Sequence, residues 1–188
     1  SSSVYGNNPP PFLEDAQLPT PLSVYAATKQ AAELLVQQYQ AQGLPVTMFR
    51  FFTVFGERGR PDMAPYVFTQ ALLNHQPMTV FGDGSALRDF TYVKDVVDGI
   101  LRAVYAPTAY PVMNLGHNQP VRVLEFIQLL EKLTSQKAHI NFTPARAEEM
   151  PVTWANIFRA KQYLGWEPMT SLEEGVENFV RWFKQERA

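Results

Sequence analysis

The stretch VTMFRFFTVFG, at residues 46–56, constrains the fold of this chain more than any other part of the sequence. It is an almost continuous apolar run that ends at a glycine, which predicts a buried strand leading into a turn. Residues 23–42 precede it and are rich in Ala, Leu and Gln. They start at Ser23, a residue type that caps helices, and stop before Gly43, so we predict a helix there. A helix followed by a buried strand is half of a parallel α/β unit.

The same alternation of helical and strand patterns runs through the rest of the chain and predicts an α/β fold. The proline-rich residues 7–21 cannot continue a helix or a central strand, so they are predicted to form a surface loop. Asp95 is interpreted as the cap of a helix over VVDGILRAVYA, and Asp89 as a structural hydrogen-bonding residue. Further helices are predicted at 65–74, 124–133, 157–164 and 172–186, and strands at MTVF, near RDFTYV and around VMNLG.

The charge and residue content exclude several classes of partner and site. A formal net charge of −2 leaves no overall basic field to attract nucleic acid. The chain has no cysteine and three scattered histidines, so we predict neither disulfides nor a metal site. Because no apolar run approaches the roughly 18 residues that span a bilayer, we predict no membrane partner and expect a cytoplasmic protein.

Tyr25 and Lys29 supply the first candidate for chemistry. They stand at positions i and i+4 of the predicted helix, so their side chains share one face, roughly 6 Å apart at Cβ. A free tyrosine, with a pKa of about 10, is a poor base at neutral pH, but a neighbouring ammonium favours the phenolate. An oxidised nicotinamide ring would add a second positive charge. The same spacing occurs by chance in many helices, so the pair needs the support of other motifs.

The surrounding motifs resemble those of one enzyme family. The segment SSSVYG precedes the Tyr25 and Lys29 pair and RFFTVFG follows it. This order resembles the extended short-chain dehydrogenase/reductases, in particular their NAD-dependent nucleotide-sugar epimerases and dehydratases. The resemblance implies that Ser1, Tyr25 and Lys29 are the catalytic residues and that Tyr25 and Lys29 also contact NAD. It further implies that Ser2 and Ser3 line the sugar site.

Three later segments extend the resemblance over nearly the whole chain. RFFTVFGERGRPDM is similar to a stretch of the uronic-acid 4-epimerases of this family, and VFGDGSALRDFTYVKDVVDGI and RAEEMPVTWANIFRAKQYLGWEP are similar to its later signature segments. A guanidinium binds carboxylate or phosphate oxygens through parallel hydrogen bonds, and the resemblance implies such contacts here. The implied substrate-binding residues are Thr53 and Arg60 at a sugar carboxylate, Val80 and Phe81 at the base, Arg88 at the diphosphate, and Arg146 and Glu149 at the ribose and phosphates.

The resemblance also implies an architecture, the C-terminal part of a Rossmann-like NAD(P)-binding fold joined to a smaller α/β substrate-binding domain. Residues 1–56 would be the remnant of the Rossmann-like domain that carries the catalytic helix. Residues 57–188 would be mainly the nucleotide-sugar-binding region, with some segments returning to the Rossmann sheet. The family's glycine motif GxxGxxG, which cradles the cofactor phosphates, is absent from the sequence. We therefore expect a fragment that binds NAD weakly by itself, and a homodimer formed through the Tyr25 helix.

The implied reaction is 4-epimerisation of a nucleotide sugar through a 4-keto intermediate in the complete enzyme, with UDP-glucuronate and UDP-galacturonate as the expected pair. A related dehydratase would use an Asp–Glu pair after the catalytic hydroxyl, where this chain has Ser2 and Ser3. A uronic-acid decarboxylase is a further alternative. The missing glycine motif leaves one more alternative open, which is a non-catalytic remnant that binds nucleotide sugar or forms dimers.

Overall fold

Helices and strands alternate through residues 1–105, 112–146 and 149–186, the parts of the chain that the computed structural model describes. The helices are α1 (Val24–Ala41), α2 (Ala64–Leu73), α3 (Val93–Tyr105), α4 (Val123–Thr134), α5 (Phe158–Leu164) and α6 (Leu172–Glu186). The strands are β1 (Met48–Phe51), β2 (Thr53–Phe55), β3 (Met78–Phe81), β4 (Leu87–Arg88), β5 (Phe90–Tyr92), β6 (Val112–Leu115), β7 (Val121–Arg122) and β8 (Ile140–Thr143). A short 3-10 helix, Ser2–Tyr5, precedes α1. The predicted α/β class is confirmed.

The strand predicted over residues 46–56 is divided at Phe52 into β1 and β2. β1 pairs in parallel with β6, whereas β2 pairs in parallel with β5. At the change of partner, the Thr53 amide donates to the Asp89 carbonyl oxygen at 3.0 Å, just before β5. β3 pairs in parallel with β8, which lies in the HINFTPA segment that the sequence pattern left unassigned. β4 and β7 form an antiparallel pair.

α1 confirms the predicted helix and carries both Tyr25 and Lys29. The Ser23 hydroxyl accepts a hydrogen bond from the Ala26 amide at 3.1 Å, which is the predicted N-cap. The helix ends before Gly43, whose φ of +96° lies in the region that favours glycine. Ala26 is the buried residue of α1. Most of the helix therefore faces solvent.

Three apolar cores hold the elements together. The largest lies among α2, α4, α6, β3 and β5, where Phe90 stacks on Phe126 with ring centres 4.3 Å apart. The second joins β1 and β6 to α3 and α5 and contains the fully buried Trp166. The third packs Tyr5 of the 3-10 helix against Phe52. Within the described residues, no helix combines the length and the apolar character that crossing a membrane requires.

Asp95 does not cap α3, so that prediction is wrong. It lies in the first turn of the helix, and its carboxylate accepts hydrogen bonds from the Met169 amide at 3.3 Å and from the Thr170 amide and hydroxyl at 3.2 and 3.1 Å. Its partners belong to the distant loop that leads into α6. Asp89 is structural, as predicted. Its buried carboxylate accepts hydrogen bonds from the backbone amides of His117, Asn118 and Ala155.

Candidate active site

One pocket brings together the three predicted catalytic residues. It has a volume of about 350 Å³ and lies between α1 and β1, and we call it the α1 pocket. Ser1, Tyr25 and Lys29 line it. Glu33 and Phe51 also line it, Glu33 from the next turn of α1 and Phe51 from the end of β1. A hydroxyl, a phenol and an ammonium therefore face a common space.

Tyr25 and Lys29 form a close pair on the exposed side of α1. The Lys29 Nζ lies 5.3 Å from the centre of the Tyr25 ring, within the range of a cation–π contact. The Tyr25 side chain is 52% exposed, so its hydroxyl can reach a ligand in the pocket. A phenol beside an ammonium can exchange a proton with a bound hydroxyl group. The i, i+4 spacing thus gives the geometry that the sequence predicted.

Of the three serines that open the chain, Ser1 is the one that lines the α1 pocket. The Ser1 Oγ lies 3.0 Å from the Ser3 Oγ and accepts a hydrogen bond from the Ser3 amide at 3.4 Å. Ser3 thereby orients the hydroxyl of Ser1 toward one position. Neither Ser2 nor Ser3 is among the described residues that line the α1 pocket, and the same holds for the second pocket below.

The second pocket lies beside β3, has a volume of about 560 Å³, and is called the β3 cleft. Its wall is formed by β3, by the start of α2 and by the side chains of Arg146 and Glu149. It collects most of the residues predicted to bind substrate, although they are scattered along the sequence. They are Thr53, Val80, Phe81, Arg88, Arg146 and Glu149.

Two guanidinium groups line the β3 cleft. The Arg88 side chain is 19% exposed, burial lowers the pKa of its guanidinium, and its Nη2 lies 3.9 Å from an oxygen of Glu149. The Arg146 guanidinium lies over the Phe81 ring, 3.8 Å from the ring centre. A part-buried arginine and a second arginine over an aromatic ring suit a phosphate-bearing ligand with a planar base.

Arg60, the predicted carboxylate-binding residue, lies outside both lined pockets. Its Nε and Nη2 donate to the carboxylate of Asp62 at 3.0 and 2.5 Å, and its side chain is 69% exposed. These hydrogen bonds raise the pKa of Arg60, and the Tyr25 phenol adds a smaller electrostatic contribution. Asp62 itself lines the β3 cleft. Arg60 therefore stands at the rim of the site with its guanidinium already paired.

Sequence reasoning missed several residues of the site. Glu33 lies in the α1 pocket four residues after Lys29, so the spacing that pointed to Tyr25 could also have found it. Asp62 stands inside the quoted RFFTVFGERGRPDM segment but was not singled out. Phe52 lines the α1 pocket at the division between β1 and β2, and the sequence carries no local signal for that division.

Comparisons with known proteins identify relatives of the whole chain. Residues 1–116 match the NAD dependent epimerase/dehydratase family. A UDP-glucuronate 4-epimerase of Thermodesulfobacterium geofontis is 41% identical over 187 residues, a match that covers 98% of this chain and 58% of that protein.

Solved structures agree in fold along the same length. The UDP-glucuronic acid 4-epimerase of Bacillus cereus, solved with UDP-glucuronic acid and NAD, matches with a TM-score of 0.92 and 37% identity over 99% of this chain. The UDP-glucose 4-epimerase of Thermotoga maritima, solved with UDP-glucose, matches with a TM-score of 0.92 and 30% identity. The chain spans 60% and 62% of these two structures.

Proposed function

This chain belongs to the NAD-dependent epimerase/dehydratase family, with its Rossmann-like α/β fold, and we propose that the complete protein is an NAD-dependent 4-epimerase of nucleotide sugars. The expected substrates are UDP-glucuronate and UDP-galacturonate. The observation that carries the proposal is the pairing of two pockets, one with the Ser1, Tyr25 and Lys29 set and one with two arginines. The first suits proton transfer at a sugar hydroxyl, and the second suits the nucleotide end of the same molecule.

Tyr25 is the acid–base residue in this proposal. Its phenolate takes the proton from the 4-hydroxyl of the sugar, and the Ser1 hydroxyl, held by Ser3, hydrogen-bonds the same oxygen. The sugar then passes through a 4-keto intermediate, and Tyr25 returns the proton to that oxygen. The Lys29 Nζ lies 5.3 Å from the centre of the Tyr25 ring, so a positive charge stands beside the phenol.

The residues of the α1 pocket fit one end of NAD. Tyr25 and Lys29 are accessible side by side, so they can hold the hydroxyls of the nicotinamide ribose. NAD, when bound, supplies the acceptor and donor of hydride. These 188 residues contain no GxxGxxG motif to cradle the cofactor phosphates. We therefore propose that the chain by itself binds NAD weakly and lacks epimerase activity.

In the β3 cleft, Arg88 and Arg146 would bind the diphosphate and Phe81 and Val80 would contact the base, with Glu149 at the ribose. For a uronic acid, Thr53 and Arg60 would bind the carboxylate, which requires Arg60 to exchange its Asp62 partner for the substrate. Ser2 and Ser3 would neighbour the sugar. Because neither is an acid, dehydration lacks the Asp–Glu pair that it uses in relatives.

We also propose that the chain divides near residue 56 into two parts. Residues 1–56 would carry the catalytic helix, and β6 would return to the Rossmann-like sheet by pairing with β1. In support, β1 and β6 share a core with α3 and α5, whereas Phe68, Met78, Val80, Phe90 and Val123 of the β3 cleft belong to the larger core. Residues 57–188 would therefore provide most of the nucleotide-sugar site.

A homodimer through α1 is also proposed. Leu34, Leu35 and Tyr39 are between 58% and 64% exposed on this helix, which is costly for apolar side chains in water. A Leu34→Glu/Leu35→Glu variant should halve the molar mass measured by light scattering, whereas the exposed-site control Gln37→Glu should not change it. A wild-type protein of monomer mass would contradict the dimer.

The test uses the product of the complete reading frame and, separately, this chain, each incubated with UDP-glucuronate and NAD. Chromatography should detect UDP-galacturonate with the complete product and not with this chain. Tyr25→Phe should abolish conversion, while Tyr39→Phe, an exposed tyrosine of the same helix, should retain it. Nucleotide-sugar binding without conversion by either protein would favour one of two alternatives. One is a neutral-sugar substrate, which is a specific candidate because a similar structure was solved with UDP-glucose. The other is a non-catalytic binding protein.

A further inference from the structure

Arg50 forms an ion pair that connects strand β1 to helix α1. It lies on β1, is 4% exposed, and its Nε and Nη2 donate to the two carboxylate oxygens of Glu33 at 3.0 and 2.7 Å. Glu33 follows Lys29 by four residues on α1, and both line the α1 pocket. The helix therefore carries a phenol, an ammonium and a carboxylate on one face at successive turns.

We propose that Arg50 is a positioning residue that holds the Glu33 carboxylate away from Lys29, so that the Lys29 ammonium remains with Tyr25. The inference rests on the proposed function, because it assigns a purpose to the Tyr25 and Lys29 pair. Without a partner, Glu33 would stand at i+4 from Lys29, a spacing at which opposite charges pair on a helix. A planar guanidinium that binds both oxygens outcompetes a single ammonium for a carboxylate.

Arg50 is itself held in place, which makes it a fixed partner for Glu33. Its Nη1 donates to the Glu14 carbonyl oxygen at 3.3 Å, and its guanidinium lies 4.8 Å from the centre of the Tyr5 ring. Burial alone would disfavour its charge, but the hydrogen bonds with Glu33 and Tyr5 outweigh burial and raise the pKa of Arg50. The pair is therefore charged on both sides, and the Glu33 charge is neutralised locally.

The other charged groups around this face come from different elements. On α1 they are Lys29 and Glu33 themselves, and from β1 the group is Arg50. Arg60 acts on Tyr25 from the loop before α2. Tyr5 and the Glu14 carboxylate face Arg50 from its other side. Of the two carboxylates, Glu33 is the one that shares the pocket with Lys29.

The experiment measures the rate–pH profile of epimerisation for Arg50→Met, Glu33→Gln and the double variant in the complete product. Arg50→Met frees the Glu33 carboxylate, so the midpoint of the ascending limb should move up by about one pH unit, a tenfold lower rate on the acid side. Glu33→Gln leaves the Arg50 guanidinium unpaired, so its midpoint should not rise, and the double variant, which removes both charges, should return it to the wild-type position. A midpoint that is the same in all variants, with lower rates or stability only, would overturn the proposal.

Two further measurements keep the result interpretable. If Arg50→Met does not fold, Arg50→Lys still decides, because it keeps the positive charge but cannot bind both carboxylate oxygens in parallel; a midpoint at the wild-type position would then overturn the proposal. If the wild-type protein does not epimerise, the ionisation of Tyr25 can be followed by the ultraviolet absorbance of tyrosinate, with Tyr25→Phe versions of each variant subtracted. The same order of midpoints should then appear, so a wrong substrate and a wrong assignment of Arg50 give different outcomes.

Discussion

Replacing Tyr5 with phenylalanine should remove the hydrogen bonds of one buried hydroxyl, which contacts Asn114 and Arg50. Tyr5 is fully buried, and its hydroxyl donates to the Asn114 Oδ1 at 2.6 Å. The Asn114 amide nitrogen is fixed by donation to the carbonyl oxygens of Phe12 at 2.8 Å and Asn156 at 3.1 Å. The asparagine therefore cannot turn its oxygen toward another donor when the hydroxyl is deleted.

The expected cost follows from that unsatisfied oxygen. Leaving a buried acceptor without a partner costs about 1–3 kcal/mol of unfolding free energy. For a chain of 188 residues this lowers Tm by roughly 2–12 °C. The ring contacts with Phe12 and Phe52 are retained by phenylalanine, so no cavity adds to the cost.

The difference between wild type and Tyr5→Phe should also depend on pH. Burial raises the pKa of Tyr5 to about 12, against the ordinary tyrosine value of 10.0, so the folded protein holds the phenol proton more tightly than the unfolded chain. The stability that comes from the neutral phenol is complete below the unfolded pKa and is lost as the pH rises through the folded one. By about pH 11 the wild type should have lost about 1.4 kcal/mol that the phenylalanine variant cannot lose.

Urea unfolding of both proteins, followed by circular dichroism at neutral pH and at about pH 11, measures this difference. The deficit of Tyr5→Phe should be clear at neutral pH and should shrink at the higher pH. Tyr105→Phe, at a position that is 83% exposed at the end of α3, is the matched control and should stay within about 0.5 kcal/mol of wild type. A deficit of Tyr5→Phe that is absent at neutral pH, or that is constant across the pH range, would refute the reasoning.

Three further predictions follow from other contacts. Gly116→Ala would put a Cβ 2.3 Å from that of Ala155, so it should lower the urea-unfolding free energy by about 1–3 kcal/mol, and an unchanged midpoint would contradict this. Asp95→Ala removes the bonds to the loop before α6 and should cost about 1.5–3 kcal/mol, against less than about 1 kcal/mol for the exposed Asp98→Ala. Arg88→Met should raise the KM for the nucleotide sugar roughly 10- to 150-fold with little change in kcat, and a fall in kcat alone would exclude a binding role.

Local signals in the sequence were sufficient for the helices and insufficient for the contacts between them. Ser23 and Gly43 mark the ends of α1 because capping and left-handed turns depend on neighbouring residues. Asp95 was misread as a cap because its partner is a loop more than seventy residues away. The division at Phe52 was missed for the same reason, since a change of strand partner leaves no local pattern.

The candidate site shows the same limit. Motifs identified Tyr25 and Lys29, and their common pocket follows from helical spacing alone. The gathering of Arg88 and Arg146 in one cleft depends on the parallel pairing of β3 with β8, which periodicity did not reveal. The pairing of Arg60 with Asp62 depends on the conformation of an exposed loop, for which the sequence has no rule.

The division between β1 and β2 fixes a distance as well as a pairing. Phe51, at the end of β1, lines the α1 pocket, and Thr53, at the start of β2, lines the β3 cleft, so two peptide units join the two pockets. Consecutive Cα atoms are about 3.8 Å apart, so this connection holds the two pocket walls at a short, fixed separation. Under the proposed function, a nucleotide sugar bound at its base in the β3 cleft would reach the α1 pocket with the carbon that this separation selects.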